Sequence, residues 1–244
     1  MQHLLKFTRL AACLAALAFF ASCDKNDDDV VSGTAKVSFT NASPDAPAMD
    51  VYIDNVKATA SPLSYTATTG LLTDPYLTVN AGTRSVRIAN STTNFTQGNI
   101  PFGGNKVYSV FAFDTVSNTS TLKGLVLQDN LAAPAAGKAH VRFLHLSSDG
   151  GAIDIDLAKT NDTTKITNRV FLGNVNVDPS VSNFSAVNAG AYNINIRAAG
   201  TAPVLVSHSF TFAEGKIYTV YASGLKANGY GTPTGLNTSI IIHN

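Results

Sequence analysis

Six aspartates are the first candidates for chemistry in this chain. Asp45, Asp50 and Asp54 lie in the stretch from Asn41 to Asp54, and Asp149, Asp154 and Asp156 lie in a degenerate copy of it, from His145 to Leu157. Calcium wants several oxygens converging from one loop. Here Asp50 and Asp54 alternate with Val51 and Ile53, which places them on the solvated face of a strand. Asp45 and Asp149 sit where a side chain caps a turn. The pattern predicts structural carboxylates and no metal. A Ser-His-Asp set can be drawn from Ser147, His145 and Asp149, yet His145 and Ser147 lie two apart on one strand end. No Gly-x-Ser-x-Gly elbow occurs, and the first copy carries Asn41 where the second has His145. Glu214, the only glutamate, falls in Ala213-Glu214-Gly215-Lys216, where the first copy reads Gly103-Gly104-Asn105-Lys106. A position that takes either Gly or Glu before a strand is a turn, not half of a glycosidase pair. With no phosphate loop and no histidine cluster, no cofactor is expected and a non-catalytic binding, adhesion or structural role is, the alternative being a glycan-binding accessory protein or a glycan-active enzyme.

Other residues point to modification and contact. Lys6 and Arg9 precede an apolar run from Leu10 to Ala21, too short to span a bilayer. The run ends Phe20-Ala21-Ser22-Cys23, which resembles the lipobox of bacterial lipoproteins, with Phe20 in place of the usual Leu. That likeness implies a signal peptide over 1–22 and acylation of Cys23. Cys13 leaves with the signal, so no disulfide and no thiolate metal site is expected. Residues 23–33 hold the acidic run Asp24-Lys25-Asn26-Asp27-Asp28-Asp29, a solvated tether that also resembles a surface-export signal of Gram-negative bacteria. Asp114-Thr115-Val116 and Asp162-Thr163-Thr164 resemble a short O-glycosylation signal and nominate Thr115 and Thr163. Tyr230 lies in Lys226-Ala227-Asn228-Gly229-Tyr230-Gly231-Thr232-Pro233-Thr234-Gly235, which is expected to be a loop between the strands of a closing hairpin and a place for ligand contact.

These residues need a scaffold, and the scaffold is duplicated. Ala35-Lys36-Val37-Ser38-Phe39 matches Ala139-His140-Val141-Arg142-Phe143. Val79-Asn80-Ala81-Gly82 matches Val187-Asn188-Ala189-Gly190, and Lys106-Val107-Tyr108 matches Lys216-Ile217-Tyr218. Three blocks in one order define two copies, 34–131 and 138–244, with 132–137 as linker. Apolar residues recur at period two, as in Val51 and Ile53 or Ile194 and Ile196, which is the signature of half-buried strands. Seven or eight such strands per copy predict an all-β chain of two tandem antiparallel β-sandwiches, with an Ig-like topology among the options. Each copy carries a full set of strands and is expected to fold by itself.

The unit Ala-Ser-Pro-Asp-Ala-Pro-Ala (42–48) followed by Asp-Val-Tyr-Ile-Asp (50–54), with the later Ala81-Gly82 turn, resembles domain-of-unknown-function family 4397 over nearly all of the mature chain. The second copy has Ser148 and Gly151 in place of the two prolines. The resemblance implies a β-rich module of exported and surface proteins and brings no activity with it. Formal charge is +1, only 14% of residues are charged, and no basic stripe is visible, so nucleic acid is not an expected partner. The expected partners are a membrane, through the lipid anchor, and a surface glycan or protein.

Overall fold

The computed structural model describes residues 32–71, 74–119, 121–160, 162–174 and 178–244. The expected signal peptide, Cys23 and nearly all of the acidic tether lie outside them.

The first repeat contributes β1 (Thr34–Asn41), β2 (Asp50–Ile53), β3 (Val56–Lys57), β4 (Leu77–Asn80), β5 (Gly82–Ala89), β6 (Asn94–Phe102), β7 (Val107–Phe113) and β8 (Lys123–Asp129). The second contributes β9 (Lys138–His145), β10 (Ile153–Lys159), β11 (Asp162–Arg169), β12 (Ser185–Asn188), β13 (Gly190–Ala198), β14 (Val206–Phe212), β15 (Ile217–Ser223), β16 (Leu225–Tyr230) and β17 (Gly235–Ile242). Each repeat is a two-sheet sandwich, and the two share no sheet. The orders are β4-β1-β7-β8 with β3-β2-β5-β6, and β12-β9-β15-β17-β16 with β11-β10-β13-β14. The chain is all-β, as its alternation predicts.

Pairing is antiparallel except at β1–β7, β9–β15 and β16–β17, which run parallel. Parallel neighbours need a long crossover. The strands between β1 and β7, most of them in the other sheet, supply it, and the second repeat repeats the arrangement.

The alternating apolar positions fill two cores. Val37, Phe39, Val51, Val86, Ile88 and Val110 belong to the first, and Val141, Ile155, Leu157, Ile194, Ile196 and Val220 to the second. Gly82 and Gly190, at φ 104° and 136°, turn the chain between β4 and β5 and between β12 and β13, a conformation that a side chain would strain.

A third cluster lies between the repeats. Phe111, Phe113, Leu125 and Leu127 pack with Leu144, Leu146, Phe171, Tyr221 and Ile241, and Phe111 meets Tyr221 edge-on at 5.7 Å. The described residues accordingly belong to one compact unit.

Candidate functional site

The aspartates of the repeated unit are spent on the framework. The Asp45 carboxylate accepts from the backbone N–H groups of Val116 and Ser117, at 2.9 and 3.0 Å. They open a four-residue helix, α1 (Val116–Thr119), just after β7. Asp149 does the same in the second repeat, accepting from Lys226 and Ala227 at 2.6 and 2.8 Å, at the start of β16. Ser43 and Ser147 each donate a hydroxyl to the aspartate two residues on. Burial alone would raise the Asp45 pKa, but the hydrogen bonds from Ser117, Val116 and Ser43 hold it below the usual carboxylate value. Both residues cap as expected, but they cap a distant loop and not their own turn.

The other acids are equally engaged. Asp50 accepts from Thr59 at 2.8 Å and pairs with Lys57 at 3.0 Å. Asp54 accepts from the Ser85 N–H and pairs with Arg84. Asp154 accepts from the N–H groups of Asn168 and Gly200, which lower its pKa. Asp156, which alternates with Ile155 and Leu157 on β10, is 9% exposed and pairs with Arg197 at 2.8 Å. Among the described residues no three His, Cys, Asp or Glu gather into a metal-holding group.

His145 does not face a nucleophile. One ring nitrogen donates to the Gly151 carbonyl at 2.7 Å and the other accepts from the Ser147 N–H, the role Asn41 Oδ1 plays toward the Ser43 N–H. Burial holds the His145 pKa down, so the neutral ring that this pairing requires is the resting state. Glu214 accepts from the Gly137 N–H at 2.7 Å, closing the linker onto a turn.

A polar network that the sequence did not announce is sealed between the repeats. Arg142 donates to Asp129 at 2.6 Å, to Ser109 at 3.0 Å and to Thr219 at 2.8 Å, and its guanidinium lies 4.5 Å from the Phe184 ring. The Arg142 and Asp129 side chains are 1% and 0% exposed. Tyr76 donates to the second Asp129 oxygen at 3.0 Å. His243 bridges Thr219 at 2.7 Å and Tyr76 at 2.5 Å. Tyr76 gives its proton to Asp129, so its oxygen accepts from His243 Nδ1–H, and the unprotonated Nε2 of the neutral ring accepts from the Thr219 hydroxyl. Burial pushes the His243 pKa down to about 4; Asp129 opposes that shift and Arg142 reinforces it. Burial and the Asp129 charge also push the Tyr76 pKa well up. The network is structural: no buried polar side-chain atom of the described residues lacks a partner, Arg142, Asp129, Thr219 and His243 are buried, and half-buried Tyr76 forms its rim.

A family model described as domain of unknown function (DUF4397) matches residues 35–156, from β1 of the first repeat into β10 of the second. The chain belongs to the DUF4397 family. The match stops short of the near-complete coverage expected, leaving most of the second copy beyond it. No curated protein matches this DUF4397 chain. Among solved structures, a leucine-rich repeat protein from Bacteroides thetaiotaomicron aligns at 12% identity and a TM-score of 0.19, over 85% of this chain and 27% of that one. A candidate cell adhesion protein from Bacteroides eggerthii aligns at 11% identity and a TM-score of 0.19, over 86% and 96%. The chain thus spans about a quarter of the first of these. Likeness at that level carries no argument.

The remaining nominated residues of the DUF4397 chain fall at its surface, with one exception. Thr115 is 1% exposed, so its hydroxyl is closed to a glycosyltransferase once the chain has folded; Thr163, on edge strand β11, is exposed. Tyr230, 39% exposed, is not in a loop but is the last residue of β16, and the turn covers residues 231–234. Asp149 pins the start of this segment, and Leu225 and Gly231 donate to the Thr234 and Leu236 carbonyls, which extends it. An apolar groove of about 360 Å³ runs between the repeats, lined by Leu71, Pro75, Phe210, Ile240 and Ile242.

Proposed function

We propose that this is a lipid-anchored cell-surface lipoprotein with a non-catalytic binding, adhesion or structural role. Acylated Cys23 holds it in the outer membrane, and the acidic tether lets the repeats face the exterior. The observation that carries the reading is where the reactive side chains go. His145, Ser147, Glu214 and the six aspartates of the repeated unit are committed to backbone or neighbouring side chains. The open sheet faces, in contrast, present amides, hydroxyls and cations. Two or more acyl chains make a durable anchor, since each buried methylene contributes about 0.8 kcal/mol. Thr163 is the position this reading leaves for a surface O-glycan.

Metabolic palmitate labelling, membrane fractionation and protease shaving of whole cells test it. The parent should carry label, pellet with membranes and be shaved, while Cys23→Ala should be unlabelled and either soluble or unprocessed. A Cys23→Ala protein that partitions and is trimmed like the parent would overturn the anchor. Whole cells with and without the protein, applied to an array of glycans and matrix proteins, test the binding role.

A further inference from the structure

The outer face of the second sheet in each repeat carries the same row of positions. In the first repeat the cross-strand partners read Lys57–Tyr52–Arg87–Gln97, over β3, β2, β5 and β6. In the second they read Lys165–Asp156–Asn195–Ser207, over β11, β10, β13 and β14. The second row is satisfied from within: Asp156 is paired with Arg197 and Asn195 accepts from Ser207 at 2.7 Å.

The first row is not. The Arg87 guanidinium carbon sits 3.9 Å from the Tyr52 ring centroid, a stacking contact that fixes its plane and leaves its N–H fork free. No carboxylate or carbonyl of the described residues accepts from it. The nearby acids are occupied, Asp50 by Lys57 and Thr59, Asp54 by Arg84 and the Ser85 N–H. Across β6, Gln97 has its carbonyl oxygen taken by Asn94 at 2.7 Å, which leaves its amide N–H₂ as a donor beside Arg87. A preorganised fork and an adjacent amide, both donors without acceptors, make a cradle for a planar oxyanion. Around it the sheet exposes Thr83, Ser85 and Asn99, groups that match hydroxyls and form no pocket for an apolar side chain.

We propose that this face binds a carboxylate-bearing polysaccharide, with Arg87 and the Gln97 amide receiving the carboxylate of one sugar and the flanking polar groups its hydroxyls. The proposal rests on the binding role above and names the ligand class for it.

Polygalacturonate binding to the full-length protein, followed by titration calorimetry at low and high salt, is the test. Methyl-esterified polygalacturonate removes the charge and keeps the backbone, and polyglutamate keeps the charge and changes the polymer. Loss of a charge-assisted fork corresponds to about 10-fold or more in affinity. The polyuronate should bind and weaken with salt. The ester and the Arg87→Ala variant should each be weaker by at least that factor. Arg87→Lys should fall between, and Asn195→Ala, the equivalent position in the second repeat, should match the parent. Arg87→Ala should melt as the parent does, since Arg87 has no carboxylate partner to strand. Absence of polyuronate binding, or binding indifferent to Arg87→Ala, overturns the site. Polyglutamate binding as tight as polyuronate overturns the glycan and makes the partner an acidic peptide. Cells displaying Arg87→Ala that bind the array as the parent does sink this site and leave the broader role standing. Array binding that is the same with and without the protein sinks the role itself.

Discussion

The two repeats meet through the same face of the same sheet, and they bring opposite chemistry to it. The first offers Ser38, Ser109 and Asp129; the equivalent positions of the second hold Arg142, Thr219 and His243. Above this row Phe111 faces its own counterpart, Tyr221. A first-repeat face turned on a copy of itself would bury two Asp129 carboxylates, and a second-repeat face two Arg142 guanidiniums. Either costs several kcal/mol, whereas the mixed pair is neutral and fully hydrogen-bonded. Divergence of the duplicated module has therefore produced one specific pairing. The Asp45 and Asp149 clamps, which no face requires to differ, have stayed alike in residue type and role.

The largest effect should come from breaking this complementarity. Arg142→Ala leaves Asp129 charged, buried and without its ion partner, which should cost about 3–5 kcal/mol in urea denaturation. Replacing both, Arg142→Met with Asp129→Leu, should recover most of that loss, because an apolar pair of similar volume carries no stranded charge. Recovery of nothing would mean that the pair does not couple the repeats. The same face bears on independent folding. A fragment spanning Gly137 to Asn244 keeps both its sheets and its core but exposes Leu144, Leu146, Phe171, Tyr221 and Ile241. It should give a cooperative melt and associate with the separately made first repeat; a molten product would show that the interface is needed for folding.

The second effect is on pH dependence and sharpens the asymmetry, since only one repeat places a histidine in the network. His243 titrates near 6.5 in the unfolded chain and at about 4 when folded. Between those values the unfolded state binds more protons, so stability rises with pH there and is lost as pH falls from 6.5 toward 4. The loss should reach about 3 kcal/mol at the acid end. His243→Gln keeps an uncharged hydrogen-bonding side chain and should remove most of the slope between 6.5 and 4, leaving the smaller part that buried His145 contributes in the same sense. A variant that retains the parent's slope would assign the titration elsewhere. Asp45, whose folded pKa is lowered, acts in the same sense below its unfolded value, its contribution being present above that value and lost as pH falls.

The range of each interaction decides whether the sequence discloses it. Alternation is local, and Val51, Ile53, Ile194 and Ile196 could be assigned inward without knowing their neighbours. The Gly82 and Gly190 turns were legible for the same reason. Asp45, however, caps N–H groups 71 and 72 residues away, and Asp149 caps groups 77 and 78 away. A capping aspartate can be read from its type, but not the loop that it caps. Arg142 and Asp129 occupy outward-facing strand positions that in an isolated sandwich would be solvated, so nothing in either strand's pattern marks them as buried. Neither the burial of Thr115 nor strand β16 is legible in the sequence, on related grounds. Thr115, 1% exposed, adjoins the Val116 and Ser117 N–H groups that Asp45 holds from far along the chain, and β16 is a glycine-bearing segment extended by the Asp149 clamp and by pairing with β17.

A smaller effect tests the part of the comparison that stayed constant. Asp45→Ala and Asp149→Ala each remove two charge-assisted acceptors from a loop start and should each cost about 1 kcal/mol. Near-equal values are expected because the geometry is repeated. Amide exchange should speed up at Val116 and Ser117 in one variant and at Lys226 and Ala227 in the other. Faster exchange throughout the repeat would mean that the aspartate holds the core and not only the loop.

The smallest stability effect is expected at Tyr230, where the repeats differ in the segment beyond the clamp. After β7 the first repeat forms α1, whereas after β15 the second forms β16 and ends it on Tyr230. At 39% exposure the ring is partly covered. Tyr230→Ala should therefore shift stability by no more than about 0.5 kcal/mol, the range of surface substitutions. A tyrosine offers broad apolar area at low entropic cost together with a hydroxyl. If the second repeat uses this edge for contact, whole-cell adhesion should weaken while melting stays unchanged. Lower melting with unchanged adhesion would make Tyr230 a packing residue. It would also leave the Tyr52–Arg87 face of the first repeat as the molecule's better surface for recognition.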